Sequence, residues 1–294
     1  MLLVIFALMA VGGWLQAQTL ADGIRAIEAG RLDEAERILS AVVRQHSDSF
    51  EANFYLGLVH FRADRSEAAR PLLERATSLS PASAEAWKLL GLVTTSTGKL
   101  DDAAHALGKA CELAQNDEEG CYYFARSLFV LGRYEAAREP FERALRAAPK
   151  PKLSKVHRAV ALNFAALGSQ AEAEQHFLKA VQLNDRAMGK DEDPRVDYGA
   201  FLFRQGRTEE ALRPLEQAVR DAPSSARANA EWGRVLLQLG RLDAAATCLE
   251  KAVAHEPGNW SVRLLLGRVY LRLGRTSEGE REMRLGEEGW KRKK

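Results

Sequence analysis

A self-similarity at a spacing of 34 residues constrains this chain more than any other feature of it. The stretch Gly132-Arg-Tyr-Glu-Ala-Ala-Arg-Glu-Pro-Phe-Glu-Arg-Ala-Leu-Arg-Ala-Ala-Pro149 states the pattern. Ala137, Phe141 and Ala144 fall on one helix face by their spacing. Pro149 closes the phrase, because proline disfavours helix in the residue before it. The same phrase returns as Gly98, Ala103, Leu107 and Ala110, and as Gly240, Ala245, Leu249, Ala252 and Pro257. A period of this length indicates small stacked units that share a continuous core.

With that glycine as the fifteenth place, repeats start near residues 16, 50, 84, 118, 154, 192, 226 and 260. Two steps are longer, with extra residues near Lys152-Leu153 and at Met188-Gly-Lys-Asp191. Insertions of this kind belong in loops between repeats, where they cost little. The eighth place is always small: Gly23, Gly57, Gly91, Ala125, Ala161, Gly199, Gly233 and Gly267. The twentieth is Ala35, Ala69, Ala103, Ala137, Ala173, Ala211 and Ala245, then Gly279. The twenty-fourth is large and apolar: Leu39, Leu73, Leu107, Phe141, Phe177, Leu215, Leu249 and Met283. Small residues let two backbones approach, and the large one enters the space between them.

In this register the chain resembles the tetratricopeptide repeat (TPR) family over nearly all of its length. The resemblance implies an all-α, right-handed superhelical solenoid of about eight helical hairpins, each made of a helix A and a helix B. It divides the chain into a leader at 1–17, repeats one to four at 18–151, and repeats five to eight at 154–293. Gly132 and its equivalents are expected to end helix A in the left-handed region, which glycine adopts freely. Asp64 replaces that glycine in repeat two and tolerates the same conformation. Asp33, Asp101, Glu135, Glu209 and Asp243 then fall in the first turn of helix B, where the helix dipole favours negative charge. Pro71, Pro140 and Pro214 lie inside helix B, each removing one backbone hydrogen bond, so local kinks are expected. The last repeat, with Gly279, Gly286 and the tail Trp290-Lys-Arg-Lys-Lys294, reads as a solubilising cap.

Leu2 to Leu15 is an uncharged apolar run followed by Gln16-Ala17-Gln18. It is shorter than the roughly 20 residues of a membrane span and fits a signal-peptide core with cleavage after Ala17. That reading places the protein outside the cytoplasm, secreted or periplasmic. An uncleaved membrane anchor and a buried first helix are the alternatives, because no Lys or Arg precedes the run and Leu15 is large for its place. Cys111, Cys121 and Cys248 are too few for a disulfide framework. They are read as small apolar packing residues, although Cys111 and Cys121 are near enough in the repeat for a bridge.

Catalytic constellations do not stand out. His46, His60, His105, His157, His176 and His255 are scattered, and the glycines recur for packing rather than to cradle phosphate. No Gly-x-Ser-x-Gly elbow and no cysteine pair at metal spacing occur. The expectation is a non-enzyme with no cofactor, no metal and no small-molecule substrate. A net charge of +2 gives the chain as a whole no nucleic-acid signature.

The TPR resemblance implies a concave groove lined by places two, five, nine, twelve and thirteen of each helix A. In repeats one to four these places include Phe54, Phe61, Lys88, Tyr122, Arg126 and Phe129, with Glu51, Glu85 and Glu119 at helix starts. In repeats five to eight they include Lys155, Arg158, Phe203, Arg204, Arg227, Arg234, Arg268 and Arg272, against one acid, Asp193. Lys and Arg make up 42 of 294 residues, so about three cations are expected there by chance, and seven occur. The peptide-binding candidates are therefore Phe54, Phe61, Tyr122, Arg126, Phe129, Arg158, Phe203, Arg204, Arg234, Arg268 and Arg272. They point to a scaffold gripping a partner peptide, acidic where guanidinium forks meet it. A basic groove for an anionic polymer (nucleic acid or envelope glycan) and a solenoid that self-assembles end to end are the alternatives. The clamp by which some TPR proteins hold chaperone tails needs Asn at the ninth place, and no repeat here has it.

Overall fold

A computed structural model describes residues 19–114, 116–184 and 193–292, and only the backbone of Pro151. The apolar leader and the whole Met188–Asp191 insertion therefore lie outside the described residues. Sixteen helices and no strand are found among the described residues. Between Ala148 and Pro149 the chain divides into two compact halves. The first half pairs α1 (residues 19–28) with α2 (Leu32–Gln45), α3 (Phe50–Arg62) with α4 (Ser66–Leu79), α5 (Ala84–Ser96) with α6 (Leu100–Leu113), and α7 (Glu118–Val130) with α8 (Arg138–Ala147). The second pairs α9 (Lys150–Ala166) with α10 (Gln170–Gln182), α11 (Pro194–Arg204) with α12 (Thr208–Asp221), α13 (Ala226–Gln238) with α14 (Leu242–His255), and α15 (Trp260–Arg272) with α16 (Thr276–Lys291).

Each hairpin closes around the contact between the eighth and twenty-fourth places. Leu39, Leu73, Leu107, Phe141, Phe177, Leu215 and Leu249 are all buried, as are the alanines at the twentieth place. A Cβ added to Gly91 would lie 2.4 Å from Leu107 Cγ, and one added to Gly57 would lie 2.8 Å from Leu73 Cγ. The pairing is selective. Wherever the eighth place is glycine the partner is Leu or Met, and the two alanines, Ala125 and Ala161, face Phe141 and Phe177. A leucine branches at Cγ, close to the opposing backbone, whereas a flat ring can lie beside a methyl. In the last hairpin Gly279 seats Leu271, Gly286 seats Leu264 and Gly289 seats Trp260, which explains the glycines on α16.

Turns inside the hairpins follow the expected register. Gly132 has φ +72° and Asp64 has φ +55°, both in the left-handed region. Helix A is started by a side chain that accepts a backbone N–H: Ser49, Ser83, Asp117, Asp193, Ser225 and Asn259. The three prolines differ in what precedes them. Pro71 and Pro214 sit within unbroken α4 and α12. Ahead of Pro140, residues 134–137 form turns rather than helix, and Arg138 N–H bonds to Glu135 O three residues back. Pro214 occupies the equivalent place in α12, so the lost donor alone does not decide the outcome.

The fourth place of helix A fastens most repeats, by a chemistry that changes along the chain. Asn53 Nδ2, Trp87 Nε1, Asn229 Nδ2 and Arg263 Nε each donate to the carbonyl six residues back, at 2.9–3.1 Å, across the turn from the previous repeat. Cys121 stands at this place and is bonded to Cys111, so these two cysteines are a covalent staple rather than the packing residues expected. Cys248 alone is a free buried thiol, and burial pushes it up to about 11. Arg195 grips Asp193 and Asp221. His157 meets His176 of α10, Nδ1 to Nδ1, at 2.9 Å. Burial first, and then the charges of His176 and Lys179, pull His157 down to about 4. Burial and Lys179 lower His176 in the same direction.

Two measurements check this packing. Gly91→Ala gains about 1 kcal/mol of helix propensity but overpacks Leu107 by roughly 1–3 kcal/mol. In urea melts the Gly91→Ala/Leu107→Phe double variant should be more stable than the two singles predict, by about 1 kcal/mol; strict additivity would refute the pairing rule. The histidine pair makes the fold sensitive to mild acid. Because both folded pKa values lie below the ordinary 6.5, the unfolded chain binds more protons as pH falls. Stability should be complete above about pH 6.5 and decline toward pH 4, with a shallower decline in His157→Leu; identical pH profiles would count against it.

Candidate functional site

The two halves carry the expected groove places on their helix A faces, and the two faces differ in character. In the first half, Phe54 and Phe61 are half-buried against Leu73, Leu89, Leu90 and Val93, so most of each ring is committed to the core. Phe54 stacks on Phe50 at 5.8 Å. Tyr122 was expected at the surface and is instead 4% exposed, edge-on to Phe141. Phe141 fills the hairpin beside Ala125, and Tyr122 covers it, so Tyr122 is a packing residue. Arg126 is exposed, with its guanidinium 5.7 Å from the Tyr122 ring centre. Phe129 is half-buried beside Tyr134, and the neighbouring Val130 is 59% exposed. Lys88 is held by Asp117 at 3.0 Å and Glu119 at 3.5 Å. Burial pulls its ammonium down, and the two carboxylates outweigh that and leave it raised.

In the second half the arginines separate into two rows. Asp197 is buried, and its carboxylate accepts from both Arg158 and Arg227. One carboxylate of α11 thereby ties together the helices before and after it in the stack, α9 and α13. Arg158 is thus a structural cation rather than the free groove residue expected from its place. Asp197 stands at the sixth place, outside the groove places, so it is not among the sequence candidates. Its signal is an acid on an inward turn, with Arg at the fifth place of the repeat before and the second place of the repeat after. Asp193, the single acid counted in this half, caps α11 and is satisfied by the N–H and guanidinium of Arg195.

The other row stays open to solvent. Arg204 and Arg268 are exposed and in no ion pair among the described residues. Among the described residues Arg234 has one ion-pair partner, Glu231 at 3.9 Å, and its side chain is 40% exposed. Arg272 is exposed and donates to Leu237 O at 3.3 Å. These four stand at the ninth and thirteenth places, one helical turn apart. Phe203 is half-buried on the core below Arg204. Among the described residues no group of three His, Cys, Asp or Glu is placed to hold a metal, and no helix is long and apolar enough to cross a membrane.

A family model described as tetratricopeptide repeat matches residues 20–81, 122–188 and 230–283, and a second with the same description matches 202–252. The chain belongs to the tetratricopeptide repeat family. Residues 71–144 also match a model of subunit 3 of the anaphase-promoting complex, or cyclosome. No curated protein matches the chain. Among solved structures, a TPR protein from Parabacteroides merdae is similar over 86% of this chain and 98% of its own, with 17% identity and a TM-score of 0.66. MamA MSR-1 is similar over 59% of this chain and 98% of its own, with 30% identity and a TM-score of 0.52. A further MamA structure shares 22% identity over 58% of this chain and 92% of its own, with a TM-score of 0.54. The TPR architecture makes this chain a protein-interaction scaffold.

The Asp197 cluster gives a direct test of the two-row division. Asp197→Asn leaves two guanidiniums without their shared carboxylate. Because Arg227 keeps some solvent, the cost should fall near the lower end of the roughly 3–5 kcal/mol known for broken buried pairs. Arg204→Ala should change stability by no more than about 0.5 kcal/mol. Equal losses for the two variants in denaturant melts would overturn the division.

Proposed function

We propose that this TPR chain is a non-catalytic scaffold whose helix A faces hold an acidic segment of a partner protein. The observation that carries this reading is the second-half row of exposed Arg204, Arg268 and Arg272 with partly exposed Arg234, for which Glu231, 3.9 Å from Arg234, is the one ion-pair partner among the described residues. Arginine recurs where a planar fork must meet a carboxylate, and unlike Arg158 and Arg227, which Asp197 holds, this row is tied to no buried carboxylate. In the first half the partly exposed Phe54, Phe61 and Phe129, with Arg126 and the exposed Val130, offer apolar contact. The bond between Cys111 and Cys121 supports export to an oxidising compartment, in keeping with the apolar leader. Sequencing the mature N-terminus tests cleavage after Ala17; a chain that still starts at Met1 would favour the anchored form.

The function itself is tested by selecting peptides from a random display library on the native protein and on an Arg234→Glu/Arg268→Glu variant. The native protein should enrich acidic peptides that the variant loses. An unchanged selection would remove the arginine row from the binding surface. Capture that depends on charge alone and disappears steeply with salt would favour an anionic polymer as the natural ligand.

A further inference from the structure

We infer that the segment held by this row carries an acidic side chain at every third residue and binds as an extended left-handed polyproline II chain. The inference rests on the acidic-partner reading above and adds to it a register and a conformation.

The row crosses three helices that are successive in the stack. Arg204 is on α11, Arg234 on α13, and Arg268 and Arg272 on α15, with α11 packed on α13 and α13 on α15. Packed helices lie about 8–10 Å apart, so a ligand crossing them meets a new guanidinium about every 8–10 Å. A polyproline II chain rises about 3.1 Å per residue with three residues per turn, so side chains three apart recur on one face about every 9 Å. The two repeats coincide. In a β-strand, residues three apart point to opposite faces, and those two apart are only about 6.5 Å distant. The offset between the ninth and thirteenth places is about 6 Å along the helix axis, within the sweep of an arginine side chain.

The fold already contains a miniature of this arrangement. Asp197 presents one carboxylate that guanidiniums from two neighbouring A helices share. That internal carboxylate closes the row formed by Arg158 and Arg227, so an incoming acid meets the open row at the ninth and thirteenth places. Among the described residues Glu231 alone is ion-paired to it, 3.9 Å from Arg234, with its side chain 22% exposed. A single charge at that distance, near the surface, competes weakly with a multivalent ligand.

Fluorescence anisotropy with labelled peptides tests the register. Three peptides of identical composition, built from Glu, Ala and Pro, carry Glu at every third residue, at every second residue, or in one block; a fourth replaces Glu with Gln. The every-third peptide should bind at least about tenfold more tightly than either isomer, and the Gln peptide should not bind. Arg234→Glu/Arg268→Glu should abolish binding while the cooperative melt persists, lowered only slightly by repulsion between the introduced carboxylate at position 234 and Glu231. Arg234→Gln/Arg268→Gln, without that repulsion, should lose binding with the melt unchanged. If the isomers bind alike and the arginine variant weakens all of them, the register is wrong and the acidic-partner reading stands. If none binds, or the variant binds as the native protein does, that reading fails as well. A helical peptide with Glu at every seventh residue that outcompetes the every-third peptide would also overturn the inference.

Discussion

The whole structure depends on one contact repeated along the chain, a bulky residue of helix B pressed against a nearly bare stretch of helix A backbone. It sets how closely the two helices of a hairpin approach, and hence where the next hairpin can stack. The contact tolerates two solutions, glycine with a branched aliphatic side chain or alanine with an aromatic ring. Both remove water from the same volume. The choice in each repeat is therefore coupled across sixteen residues of sequence, and a substitution at one member is felt through the other.

Ionic contacts follow the same hierarchy of burial. Exposed pairs between successive repeats, such as Arg65 with Glu36 and Arg133 with Asp101, contribute little each, because water screens them. The Asp197 cluster differs, since its carboxylate has left solvent and two guanidiniums must replace the lost hydration. That one residue turns a face with an excess of arginine into a face with a fixed row and an available row. Charge counting along the sequence treats the two rows alike.

The fold was legible because its determinants are local and periodic. The left-handed turn residues, the small eighth place and the bulky twenty-fourth recur at fixed offsets, so a single chain contains its own comparison set. Even Asp64, the departure from glycine, keeps the turn that its backbone chemistry allows. The candidate site was legible in composition only. Places on a helix face say which side chains could meet a ligand, but Tyr122 was drawn into the core by its own neighbour Phe141, and Arg158 by a carboxylate 39 positions away. Contacts of that range have no period. The cysteine pair stays open in the sequence for a related reason: Cys111 ends one helix and Cys121 begins the next, and only the turn between them decides whether the sulfurs meet.

The fasteners at the fourth place of helix A make the joints of this array chemically unlike one another. Amides and a tryptophan hold several turns between repeats and one bond there is covalent, whereas the imidazole pair and the arginine between two aspartates each tie together the two helices of one hairpin. In a stack where each repeat contacts mainly its neighbours, a weakened joint need not unravel the others. A thiol reductant, a mildly acidic medium and concentrated salt should each therefore slacken a different contact, so that the surroundings decide which repeat loosens first.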